Sequence, residues 1–152
     1  MSRGTWLLGL VVATTVACGA DPSRDQLEAT PDVVVVDGDA LVCAPFLWRD
    51  FMPPSTGSDL MAVVDVRTQD GTALPAGLAL VRLYVVNGAD VWATDFSPET
   101  RPPSPPNQIE KIARGGPLWG PGIQVDVVVE LVDATGATTY LATHGAAIGA
   151  TY

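Results

Sequence analysis

Ile123-Gln124-Val125-Asp126-Val127-Val128-Val129-Glu130-Leu131-Val132 is the stretch whose reading decides the fold. Its apolar residues recur at every second position: Ile123, Val125, Val127, Val129 and Leu131 point one way, and Gln124, Asp126 and Glu130 the other. A period of two belongs to a half-buried β-strand, because successive side chains leave opposite faces of a pleated backbone. Asp133-Ala134-Thr135-Gly136 then has turn composition, and Thr138 to Thr143, with Tyr140 among branched threonines, answers as the hairpin partner.

Upstream, the same grammar repeats. Leu60 to Arg67 predicts an edge-compatible strand with Ala62, Val64 and Val66 on one face and Asp65 and Arg67 on the other. After Asp70-Gly71, Leu78 to Val86 forms another, joined through Asn87-Gly88 or Gly88-Ala89 to Ala89–Phe96. Val81, Leu83 and Val85 are expected to share a face with Trp92, Thr94 and Phe96, with Arg82, Tyr84 and Asp95 on a wet face. Val33 to Val36, a turn at Asp37-Gly38-Asp39 and Ala40 to Cys43 read as two shorter strands. The aspartates of that turn could chelate calcium, but the further ligands of a calcium loop are missing, and a plain turn is expected.

The segments between strands are less regular. Phe46, Leu47, Trp48, Phe51 and Met52 predict one helical turn lidding the core and ended by Pro53, or else a surface patch for a partner. Residues 97–107 carry five prolines and must form an exposed connection. Residues 107–115 fit either a capped helix or a short strand. Trp119, within a Gly/Pro loop, either plugs the end of the core or stands exposed to stack on a sugar. Ala146 to Tyr152 offers a final extension.

The expected fold is therefore all-β, an antiparallel β-sandwich of about seven strands, with a small closed barrel as the alternative. The run from Val125 to Tyr140 resembles the closing hairpin of immunoglobulin-like sandwiches, although the disulfide pair of antibody domains is absent.

The 152 residues suit one domain, and 47% hydrophobic content is enough for a core. A formal charge of -9, from 17 acidic and 8 basic side chains, repels nucleic acid and anionic headgroups. Arg3, the apolar run from Trp6 to Val12 and the small residues before Cys18 have the layout of a signal peptide, too short for a permanent membrane span. Thr15-Val16-Ala17-Cys18 resembles the lipobox of bacterial lipoproteins, with Thr15 where that family usually has Leu. The resemblance implies cleavage before Cys18, acylation of Cys18 and a membrane-anchored location in the cell envelope. An ordinary secretory signal is the other reading, and it too exports the chain.

The resulting division is a signal peptide over residues 1–17, a lipidated cysteine and flexible tether over 18–31, and a β-sandwich domain over 32–152. Fully extended, such a tether reaches about 40 Å. Lipidation of Cys18 would forbid a disulfide with Cys43, leaving Cys43 as a small buried hydrophobe.

Catalytic signatures are missing: the sequence holds no Gly-x-Ser-x-Gly, Cys-x-x-Cys, His-Glu-x-x-His or phosphate-loop motif. Its one histidine, His144, is expected in an exposed turn after a strand. No cofactor is expected. The expected function is a non-enzymatic interaction or accessory domain contacting an envelope protein, with a carbohydrate or cell-wall binder using Trp48 and Trp119 as the alternative and an enzyme third.

Overall fold

A computed structural model describes residues 19–99 and 102–152. The deciding alternation becomes a strand at Gln124–Val132, whose Val125, Val127, Val129 and Leu131 are buried in one core. In chain order the elements are α1 (Arg24–Glu28), β1 (Val34–Val36), β2 (Asp39–Asp50), β3 (Leu60–Thr68), β4 (Ala79–Asn87), β5 (Asp90–Asp95), β6 (Gln108–Gly116), β7 (Gln124–Val132) and β8 (Thr138–Thr151).

These eight strands form one all-β sheet in the order β5-β4-β7-β8-β2-β3-β6, with β1 added to β2. The sheet folds over on itself like a sandwich: the inner faces of β4, β5, β7 and β8 meet those of β2, β3 and β6 around a common core. The purely antiparallel expectation is corrected at one place, because β2 and β8 run parallel, with Leu47 beside Ile148 and Asp50 beside Thr151. Strand β8 makes this possible by changing partner. Thr138 to Ala147 pairs with β7, and Ile148 to Thr151 continues onto β2.

Most local expectations hold. The Asp37-Gly38 turn places Val36 opposite Asp39, with Gly38 at φ 85 where a side chain would be strained. The β4–β5 turn centres on Gly88-Ala89, so Asn87 faces Asp90 and Arg82 faces Asp95. Residues 107–115 resolve as strand, since β6 pairs with β3 along most of its length.

Four expectations are corrected. The helical turn expected over Phe46–Met52 is instead the end of β2 as far as Asp50, with Phe51 and Met52 in irregular chain beyond it; Leu47 points into the core and Phe46 outward. Pro45 is tolerated there because its missing donor lies on the β8 side, where pairing begins only at Leu47. Strand β3 is interior rather than an edge, lying between β2 and β6. Val81 does not join Leu83 and Val85 inside: a β-bulge between Leu80 and Arg82 turns Leu80 into the core and leaves Val81 exposed. Finally, the face expected to be wet is covered in part: Arg82 and Asp95 keep contact with water, but the strip beside them does not. Tyr84 and Val86 are buried with Val128 and Ala142 beneath Leu27.

Leu27 belongs to residues 19–31, expected as tether. Ser23 caps α1, its hydroxyl accepting from the Gln26 amide while the Gln26 side chain accepts from the Ser23 amide. The helix is one turn long, far too short to stand alone, so its order comes from what it packs on. Leu27 is 1% exposed, the Ala142 amide donates to Pro31 O at 2.9 Å, and Tyr84 Oη donates toward Asp21 Oδ1 at 3.1 Å. The stretch is thus a strap lying on the outer face of β4, β7 and β8.

Candidate functional site

The outer face of β2, β3 and β6 has no such strap. Alternation along the three strands sets its composition, because every residue between two core residues must face outward. The register aligns them in rungs: Phe46 beside Val63 beside Ile112, and Trp48 beside Met61. Phe46 is 62% exposed, and its ring lies 5.3 Å from that of Trp48 at an interplanar angle of 31°. An apolar band therefore crosses the sheet. At its far end Ile112 is buried below the proline-rich connection, whose Ser97 amide donates to Ile112 O at 2.7 Å.

Under that connection lies a pocket of about 320 Å³, bordered by Ser97, Pro102, Gln108, Glu110 and Ile112 among others. This volume sits at the small end of ligand-sized clefts. Next to the band, the rung Ala44, Asp65 and Glu110 places two carboxylates side by side on neighbouring strands. Burial pushes the Asp65 carboxyl above its ordinary range; Glu110 adds to the rise, whereas Arg67 opposes it. One oxygen of Asp65, Oδ1, is shut off from water and has no hydrogen-bond partner. The face thus combines a tilted aromatic pair, two neighbouring carboxylates and a bordering pocket.

The residues singled out from sequence are not brought together. Trp48 stands on this outer face, whereas Trp119 is partly buried and packs against the core from the Gly/Pro loop. The partner of Trp48 is Phe46, a residue the alternation of β2 would have exposed had the segment been read as strand. Arg49 holds the loop of Trp119 in place. Its guanidinium donates to Ser58 O and Gly120 O at 2.8 and 2.9 Å and lies 5.0 Å from the Phe51 ring centre.

Cys18 lies outside the described residues, as do Thr15, Val16 and Ala17. Cys43, a free thiol, packs against the core, and burial pushes it up to about 12, which leaves it protonated and unreactive at neutral pH. His144 is exposed but not idle. Its Nε2 lies 2.9 Å from Thr30 O and its Nδ1 3.3 Å from Asp126 Oδ2, and these partners, the Thr30 carbonyl first, raise its pKa against a smaller opposing effect of burial. It latches the strap.

Among the described residues no group of three or more His, Cys, Asp or Glu is gathered as a metal site would be, and no helix is long and apolar enough to cross a membrane. Comparison with protein-family models, with curated proteins and with solved structures finds no match to this chain.

Proposed function

We propose that the chain is an exported lipoprotein, anchored in the bacterial cell envelope through acylated Cys18, whose immunoglobulin-like β-domain is a non-enzymatic interaction or accessory module. The observation that carries the interaction reading is the outer face of β2, β3 and β6, which the proline-rich connection overlies only at its Ile112 end. There exposed Phe46 and half-buried Trp48, Met61 and Val63 form a continuous band. Clustered apolar surface of this kind on an otherwise acidic domain marks a contact site, since scattered exposed side chains would need no explanation. The layer order, with β2 parallel to β8, supports the immunoglobulin-like assignment. The acidic surface argues against nucleic acid as partner.

Two experiments test the proposal. Mass spectrometry of the mature N-terminus should find acylated Cys18, and globomycin should block its maturation; an unmodified terminus elsewhere defeats the anchor. A photo-crosslinking residue in place of Phe46 should capture an envelope protein in cells, whereas one in place of Val91 should not. Equal labelling from both positions defeats the assignment of the face.

A carbohydrate-binding reading is favoured by one observation, the Phe46–Trp48 pair, because adjacent aromatic rings stack on sugar rings. It uses Trp48 without Trp119. Sedimentation with insoluble cell-wall glycan, lost in Trp48→Ser, supports this reading; retention in the variant rejects it.

A further inference from the structure

We infer that residues 21–31 are a short leash, and that they hold the outer face of β5, β4, β7 and β8 against the lipid surface while the Phe46 face points away from it. The inference rests on the reading that Cys18 carries the lipid. A coil from Cys18 to the domain would leave orientation free, but the chain is fixed again almost at once.

Asp21 Oδ1 and Oδ2 lie 3.1 and 3.5 Å from Tyr84 Oη and Arg82 Nη2. The Arg24 side chain donates to Gly88 O in the β4–β5 turn. Leu27 then fills the hollow between Tyr84, Val86, Val128 and Ala142, and the Pro31 carbonyl accepts from the Ala142 amide. Contacts thus run the whole length of the segment, and the first of them involves the third residue after Cys18. Three residues span at most about 11 Å.

The lipid surface must therefore come within that distance of Asp21, which sits over the rungs of Arg82 and Tyr84. Packed sheets are about 10 Å apart before their outer side chains are counted, so the Phe46 face stands well beyond the leash. The partner is a bilayer with uncharged or zwitterionic headgroups, because the strap carries Asp21, Asp25 and Glu28 against Arg24 alone. The face left looking outward is the one with the aromatic band, which is where a partner in the envelope would approach.

The test uses the full mature protein, first checked for acyl groups on Cys18 by mass spectrometry. Ala93→Cys places a dye on the outer side of β5 and Phe46→Cys places one on β2; buried Cys43 stays unlabelled. In phosphatidylcholine vesicles containing a nitroxide-headgroup lipid, the dye at position 93 is expected to be quenched at least threefold more than the dye at 46. Leu27→Asp, which frees the strap, should make the two positions alike. Hydrogen exchange at Ala142 reports in the same samples whether the strap has opened while the sheet stays folded. Acylated protein with equal quenching at 93 and 46 overturns the orientation alone. Unchanged quenching in an opened Leu27→Asp strap shows that the leash is not its cause and overturns it as well. Absence of acyl groups overturns the anchor together with the orientation.

Discussion

The two outward faces of this sandwich obey the same alternation yet have different fates. On the β5-β4-β7-β8 layer, outward Tyr84, Val86 and Val128 are sealed by one leucine from the strap; on the β2-β3-β6 layer, outward Phe46, Trp48, Met61 and Val63 remain in contact with water. Polar groups do not separate the faces in the same way. On the covered side the Tyr84 hydroxyl has carboxylates at 3.1 and 3.2 Å, from Asp21 and Glu130. Among the described residues each face also keeps one buried polar atom without a partner, Arg82 Nε on the covered side and Asp65 Oδ1 on the other, so the two differ in apolar area left in contact with water rather than in polar satisfaction. The contrast teaches that alternation alone puts apolar residues outside, and that a distant segment decides whether they are covered.

Four substitutions break or sharpen this contrast. The largest effect is expected from Leu27→Ala, which empties the hollow on the covered face and should cost about 2 to 5 kcal/mol of strap closure. Faster hydrogen exchange at Ala142 would register it, and unchanged protection would show that the strap does not depend on Leu27.

Asp65→Asn acts on the bare face and should stabilise the fold by less than about 1 kcal/mol, because solvent screens a partly exposed carboxylate. The sign follows from the raised carboxyl pKa: the folded state holds that proton more tightly, so ionisation destabilises it. Urea denaturation should show the gain in full above the raised pKa and no gain in acid. A gain persisting in acid would assign the effect to packing instead.

His144→Ala removes the latch, with an expected cost of about 0.5 kcal/mol. Its pKa is raised in the folded state, so the contribution is complete below the ordinary imidazole range and is lost as pH rises through the folded value. The difference between wild type and variant should therefore be larger at pH 5 than at pH 9. An equal difference at both values would exclude a charged latch.

Phe46→Ser should change stability least, within about 0.5 kcal/mol, since the side chain is exposed. A loss above 2 kcal/mol would mean that Phe46 serves the fold rather than a partner.

Sequence and structure agree best where burial alone sets the pattern. Val125 to Leu131 and Ala62 to Val66 alternate because the core occupies one side of each strand, and that is written in consecutive residues. Disagreement arises where a distant segment changes the meaning of a position. Tyr84 looked wet because Arg82 and Asp95 are its neighbours, and nothing local says that Leu27 will cover it. Residues 19–31 looked like a tether because they hold a single large apolar side chain, yet that side chain found a hollow of its own size. Phe46 to Met52 offered aromatics before two prolines, and periodicity over so few residues could not separate a helical turn from a strand. The Phe46–Trp48 pair is hidden from such a short window, and of the two readings open for Trp119 the structure has it partly buried against the core.

Strand β8 has a consequence for assembly of the two layers. It completes the ladder of β7 with its first ten residues and supplies the parallel neighbour of β2 with its last four, so neither layer is finished without it. Without it the groups β5-β4-β7 and β2-β3-β6 could each form, but β7 and β2 would present unpaired edges and the two layers would have no strand joining them.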